Sequence, residues 1–149
     1  MNKKDIAGFF LGGWYAFDNF APFQVEWRDK LYPTAEHAYQ AAHFIDTNFE
    51  LAEKVRLTAS PREASDFANL NSKYDDPEWK EKRLSVMDEI VRCKLNQHTY
   101  IKQMLIESKD KYIVEMNDDD GFWGWGHDHN GENHLGHIWM KLRSEIITE

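Results

Sequence analysis

Pro33-Thr34-Ala35-Glu36-His37-Ala38-Tyr39-Gln40-Ala41-Ala42-His43-Phe44-Ile45 is the stretch where the chain changes its period. Alanines at 35, 38, 41 and 42 favour a helix, and Thr34 is placed to cap its first free amides. The reading is a helix from Thr34 to about Ile45. Projected at about 100° per residue, Glu36, Gln40 and His43 fall within about 60° of one another, a polar stripe on an Ala- and Phe-rich helix. Such a stripe can simply face solvent. It can also line a site, and two features favour that: its neighbours are small, and it carries one formal charge where a solvated face carries Lys/Glu pairs.

Upstream, residues 9–32 read as short extended pieces, with Phe9-Phe10, Trp14-Tyr15, Phe17 and Phe20 broken by Gly12-Gly13 and Pro22. Phe23 to Trp27 alternates apolar with polar, Arg28-Asp29-Lys30 turns, and Leu31-Tyr32 returns, the pattern of a small hairpin. Downstream, Thr47 or Asn48 can cap a helix through Leu57, and Ser60-Pro61 opens another ending near Asn69–Asn71. Pro77 starts the longest helix, Glu78 to Gln97, and a further one spans Thr99 to Ser108. A strand is expected within 111–116, then a polar loop rich in Gly and Trp, then a last helix from Asn133 to Ile147. No repeat or linker interrupts this order. The expectation is a mainly α fold: one compact helical domain over 1–149, with a small N-terminal β-hairpin and a short strand near 111–116.

A chain of 149 residues needs no disulfide or metal staple to bury a core. Its 18 Lys and Arg against 26 Asp and Glu leave a net charge of −8, which argues against gripping duplex DNA or an anionic membrane through overall charge. A local cationic pocket is still open to it. Cys93 stands alone, so there is no internal disulfide, and a reducing compartment fits. The basic start, Met1 to Asp5, is not followed by a signal-peptide core, and no apolar run is long enough to span a membrane. Cytosol, with no membrane partner, is the expected setting. Aromatic residues make up 14%, with six Trp, three of them from Trp123 to Trp139; these form either a thick core or a wall for planar ligands.

On the longest helix, Trp79, Arg83, Met87, Ile90, Lys94 and Gln97 follow helical spacing, apolar in the middle and cationic at two points. Beside them Leu84, Met87, Val91 and Leu95 read as a core stripe. Lys94 is either a boundary lysine reaching water or, like Arg83, a positive charge for an anionic ligand. The loop Asn117 to Asn133 is the densest chemistry in the chain. Glycines 121, 124, 126 and 131 let the backbone approach a ligand, and Asp120 precedes Trp123, on which a ligand could stack. Asn133 can cap the final helix, whose free amides suit a phosphate. His127, Asp128, His129, His134 and His137 are metal-ligand types, but without a Cys set or an HExxH spacing the signal is weak. The acidic triplet lacks EF-hand spacing, and no Walker A or GxGxxG occurs. No metal and no cofactor are expected, and Cys93 reads as filler rather than a nucleophile.

Several ordered motifs together resemble the NADAR (YbiA-like) family. They are Phe17-Asp18-Asn19-Phe20, Tyr32-Pro33-Thr34-Ala35-Glu36-His37 continuing to Gln40-Ala41, and Trp79 ahead of Met87 and Lys94. Asp120 with Trp123-Gly124, Gly131-x-Asn133-x-Leu135-Gly136, and Met140 with Arg143 complete the set, which spans residues 9–147. The resemblance implies a mainly helical protein that cleaves N-glycosidic bonds, either of early phosphoribosylamino-pyrimidine intermediates of riboflavin synthesis or of ADP-ribose attached to guanine. It also implies roles in binding or catalysis for Glu36, Trp79, Asp120 and Trp123. The chain departs from the family at His43, where many relatives carry Lys; a Schiff base to an opened ribose is closed to it there, which shifts the chemistry to carboxylates or weakens it. Ala68 where Gly is common and Asp18 where Ser is common are milder departures.

Cleaving a C1′–N bond builds an oxocarbenium-like sugar and negative charge on the departing base. The expected catalytic residues are Glu36, orienting water or stabilising the cation, and Asp120 as a second carboxylate. Trp79 and Trp123 would hold the base or ribose, while Gln40 and His43 orient hydroxyls or water. Arg83, Lys94 and the start of the final helix would take the phosphate, with Asn19, Gly131 and Asn133 completing the binding set. The expected partner is a small phosphorylated, nucleotide-like substrate or an ADP-ribosylated nucleic acid. The competing readings are a catalytically weak nucleotide or ADP-ribose binding module, a metal-dependent hydrolase, and a helical interaction protein.

Overall fold

A computed structural model describes residues 5–147; the basic start, Met1 to Lys4, lies outside the described residues. The architecture is mainly helical, in the order β1 (Ile6–Gly8), a 3₁₀ turn (Gly12–Phe17), β2 (Val25–Trp27), β3 (Lys30–Tyr32), α1 (Ala35–Ala42), α2 (Phe49–Arg56), α3 (Pro61–Leu70), a 3₁₀ turn (Ser72–Tyr74), α4 (Trp79–Gln97), α5 (Thr99–Glu107), β4 (Tyr112–Val114) and α6 (His134–Ile147). Among the described residues no helix is long and apolar enough to cross a membrane. Packing divides the chain into two compact units, one of residues 19–97 and one of 5–18 with 98–147.

In the unit 19–97, β2 and β3 form the expected hairpin, antiparallel with Val25 opposite Tyr32. Its two-residue turn puts both Arg28 and Asp29 at positive φ, 48° and 65°, the handedness that matches the strand twist. Three helices start on the side chains that the sequence offers: Thr34 accepts from the His37 amide, Asn48 from Leu51 and Ser60 from Glu63. α1 ends at Ala42 rather than Ile45, because the chain tightens into i to i+3 bonds, His43 N–H to Gln40 O and Phe44 N–H to Ala41 O. All eight residues of α1 are buried, polar ones included. On α4 the buried side is Trp79, Val86, Met87, Ile90, Val91, Lys94 and Leu95, while Leu84, expected in the core, is 41% exposed. Residue 84 shares the helical side of Val91 and Leu95, seven and eleven positions on, so the period alone does not announce its exposure.

In the other unit, β4 pairs in parallel with β1, in the register Ile6 to Tyr112 and Gly8 to Val114. β4 was legible in the sequence; its partner at Ile6–Gly8 was not. Gly12–Phe17 is not extended as expected. It coils as 3₁₀, which eclipses i and i+3, so Trp14 stacks on Phe17 with centroids 6.1 Å apart at 13°. Phe17 in turn meets the fully buried Trp139 at 4.9 Å, and the Trp139 indole N–H donates to the Phe17 carbonyl. Trp27 and Trp139 are buried in the core, and Trp14 is half-buried.

Candidate active site

The polar stripe of α1 is not a solvated face. Glu36 and Gln40 are each only 8% exposed, and the Gln40 amide donates to Glu36 Oε1 at 2.7 Å. One turn links these two positions, so the helix itself sets the pair. The start of α1 is secured from below: the Glu36 amide donates to the Asn19 carbonyl at 3.1 Å. Asn19 is buried, its side-chain N–H donates to Met87 Sδ at 3.4 Å, and its Oδ1 has no hydrogen-bond partner among the described residues. Next along, His37 is fully enclosed between the Thr34 hydroxyl at 2.9 Å and the Thr58 carbonyl at 3.1 Å, and burial lowers its pKa.

His43 follows the helix. Its Nδ1–H donates to Asp75 Oδ1 at 3.2 Å, and its ring lies against Trp79 at 4.2 Å with a tilt of 31°. Burial holds the imidazole pKa below its ordinary value, with the Asp75 carboxylate opposing that shift. Nε2 is enclosed and unbonded among the described residues. With one nitrogen engaged and the other covered, His43 offers neither to a ribose hydroxyl or a water in this arrangement, contrary to the expectation from the stripe. Trp79, 8% exposed, also contacts Tyr39 at 5.3 Å. Arg83, one turn on along α4 from Trp79, is half-buried. Lys94 is not: it is fully buried, with Nζ 5.5 Å from the Phe23 ring centroid, so it neither snorkels to water nor meets a phosphate from outside. Position 94 continues the line of Met87, Ile90 and Val91, which forces it inward.

The loop after β4 lies in the other unit. Asp120 Oδ1 accepts from the Phe122 and Trp123 amides at 3.0 and 2.9 Å, a local turn that carries Trp123 inward to 9% exposure. Asp120 Oδ2 makes no hydrogen bond among the described residues. Asn133 corrects an expectation. It is fully buried at φ 50°, with its side-chain N–H donating to the Ile113 carbonyl and its Oδ1 accepting from the Glu115 amide. Its amide group therefore clamps β4, with oxygen and nitrogen both engaged there rather than turned to a binding site. The start of α6 is likewise occupied: the His134 amide donates to the Phe122 carbonyl at 3.0 Å and that of Leu135 to Trp123 at 3.1 Å. Those donors are not free for a phosphate, contrary to the expectation from the sequence. Gly131 packs so tightly that an added Cβ would sit 2.7 Å from the Gly124 carbonyl oxygen. Its glycine serves loop closure.

Trp125 takes the remaining aromatic role. Asp118 accepts from its indole N–H at 2.8 Å and from His129 Nε2 at 3.0 Å, which stacks the two rings 3.8 Å apart at 15°. Those bonds hold the Asp118 carboxyl below its usual range. Trp125, His129 and Gly131 wall an open cavity of about 300 Å³ along the β1–β4 edge, and its walls do not include Asp120 or Trp123. Among the described residues, no three of the His, Cys, Asp and Glu side chains group to hold a metal; His134 pairs with Glu132, and His137 sits edge-on to Tyr112. Asp75 is the site residue that sequence reasoning missed. It stands 32 positions after His43, outside any helical period, and only the hydrogen bond reveals it.

A sequence profile of the NADAR domain matches residues 2–147. The N-glycosidase YbiA of Escherichia coli (strain K12) is 32% identical over 133 residues, which cover 89% of this chain and 82% of that one. The chloroplastic riboflavin biosynthesis protein PYRR of Zea mays is 32% identical over 145 residues, 89% of this chain and 23% of that much longer protein. The NMR structure of E. coli YbiA superposes with a TM-score of 0.84 at 29% identity, over 99% of this chain and 88% of the other. With the profile spanning nearly the whole sequence and the same mainly helical fold beneath it, the chain belongs to the NADAR family.

Proposed function

We propose that this protein is an N-glycosidase, a hydrolase that breaks the C1′–N bond of a phosphorylated ribosylamine or of an ADP-ribosyl base. The observation that carries the reading is Glu36: a carboxylate enclosed on a helix of small residues and held by Gln40. A fixed, desolvated carboxylate stabilises a developing oxocarbenium ion, or orients the water that attacks it, far better than a solvated one. As the bond breaks, its electron pair leaves with the base nitrogen, water supplies a hydroxyl to C1′, and the water's other proton is balanced by the one the departing nitrogen takes up. Trp79 offers the indole for the planar base, and Arg83 the cation for phosphate. Asp120 is proposed as a second carboxylate, acting through Oδ2, with Trp123 as a further aromatic contact. Relatives named N-glycosidase and riboflavin biosynthesis protein support the reaction class. A cytosolic setting belongs to the proposal, since a single cysteine, Cys93, can form no internal disulfide.

The test is direct. The protein is incubated separately with a phosphoribosylamino-pyrimidine and with DNA carrying ADP-ribosyl guanine, and the released base is quantified by chromatography. Turnover of either supports the reading, and the ratio of rates assigns the substrate. Saturable ADP-ribose binding by calorimetry without released base would make the protein a binding module instead.

A further inference from the structure

Three ties converge on His43. Its carbonyl accepts from the Asp76 amide at 2.8 Å, its Nδ1 is bonded to Asp75, and its ring covers a face of Trp79. Tyr39 closes the cluster, edge-on to His43 at 5.5 Å and tilted against Trp79 at 5.3 Å. The Trp79 amide donates to the Asp76 carbonyl, while Asp76 accepts from the Glu78 amide and from Lys82 Nζ at 2.6 Å. The start of α4 is thus registered on the residue that ends α1. Because neither ring nitrogen of His43 is offered to a ligand, what the imidazole contributes is a surface against the indole.

We propose that Asp75 and His43 are positioning residues for Trp79: the carboxylate fixes the imidazole, and the imidazole fixes the plane of the indole that meets the substrate's planar base. This rests on the N-glycosidase reading, in which Trp79 is the base contact. Selection of a planar base is then built into this cluster and read mainly in KM, while the bond-breaking step depends on the carboxylates. An aromatic contact of this kind is worth about 2- to 12-fold in an equilibrium.

Four variants test it, His43→Ala, His43→Phe, Asp75→Ala and the double variant His43→Phe with Asp75→Ala. The readouts are KM and kcat on whichever N-glycoside the protein cleaves, and the Trp79 indole N–H resonance, assigned by its loss in Trp79→Phe. His43→Ala is expected to raise KM about 2- to 12-fold, leave kcat within about twofold, and move the resonance. Asp75→Ala, a change in a half-buried loop that spares the helices, is expected to do the same to a smaller degree. His43→Phe keeps a ring and restores both, and adding Asp75→Ala to it changes nothing further, because the carboxylate acts through Nδ1. Should His43→Phe instead lose about 10²- to 10⁴-fold in kcat at unchanged KM, the imidazole is a proton carrier and the proposal is overturned. An unmoved indole resonance in His43→Ala and Asp75→Ala overturns it too. If the wild-type protein cleaves no N-glycoside, the functional reading falls by itself, and the resonance still decides whether the pair positions Trp79.

Discussion

On α1 the Glu36 carboxylate takes a hydrogen bond from another side chain, Gln40, whereas in the loop after β4 Asp120 and Asn133 bond main-chain groups. The reason is backbone bookkeeping. A helix satisfies its own amides and carbonyls, so its buried polar side chains are at liberty to meet one another or a ligand. An irregular loop has no continuous ladder; its main-chain bonds leave gaps that side chains such as Asp120 and Asn133 fill. A cluster of polar residues therefore points to chemistry more strongly on a buried helix than in a Gly-rich loop.

Substitution can break that contrast. Glu36→Gln keeps size and the hydrogen bond from Gln40, so turnover should fall by about 10²- to 10⁴-fold while the urea midpoint stays put. Steady-state kinetics beside equilibrium unfolding reads this, and full turnover would remove Glu36 from the chemistry. Asn133→Ala should do the reverse. It leaves the Glu115 amide and the Ile113 carbonyl without their partner, for a loss of about 2–4 kcal/mol in unfolding free energy. Unchanged stability there would show that the loop does not depend on its side chains.

Asp120 tests both halves at once. Asp120→Asn keeps an oxygen for the two amides, so stability should hold, and a fall in kcat would isolate the role of the charge. Asp120→Ala removes the turn acceptor as well and should cost about 0.5–2 kcal/mol by urea denaturation. If both variants leave turnover intact, Asp120 is a loop residue alone. The smallest effect expected concerns the enclosed face of α1. Burial lowers the His37 pKa in the folded protein. Above the unfolded value, about 6.5, both states are neutral and the group contributes nothing to pH dependence. As pH falls below that value the unfolded chain takes up a proton that the fold resists, so stability declines until the folded pKa is passed. Urea midpoints at pH 7 and pH 5 should differ, and His37→Gln should narrow the difference.

What could be read in the sequence was local. Thr34, Asn48 and Ser60 announce helix starts because a cap bonds an amide three residues on, and each does so. Glu36 with Gln40 was legible for the same reason, one turn of helix. Features that depend on distant partners were hidden. Nothing near Lys94 signals that its whole side chain is enclosed, since a lysine at that spacing more often reaches water. Asn133 announces a cap by type, yet its left-handed backbone turns the amide group onto β4 instead. Asp75 needed the fold of the loop before α4 to meet His43.

The pairing of Ile6 with Tyr112 has a consequence for the order in which the chain can assemble. Closing that strand pair means closing a loop of about a hundred residues, an entropic cost that local contacts cannot offset early. All of 19–97 lies inside that loop and emerges from the ribosome ahead of β4. Residues 19–97 can therefore consolidate while 5–18 await their partner, and pulse-labelled exchange during refolding should protect α1 amides before those of β1. The helix that carries Glu36 is thereby among the first parts of the protein to be finished.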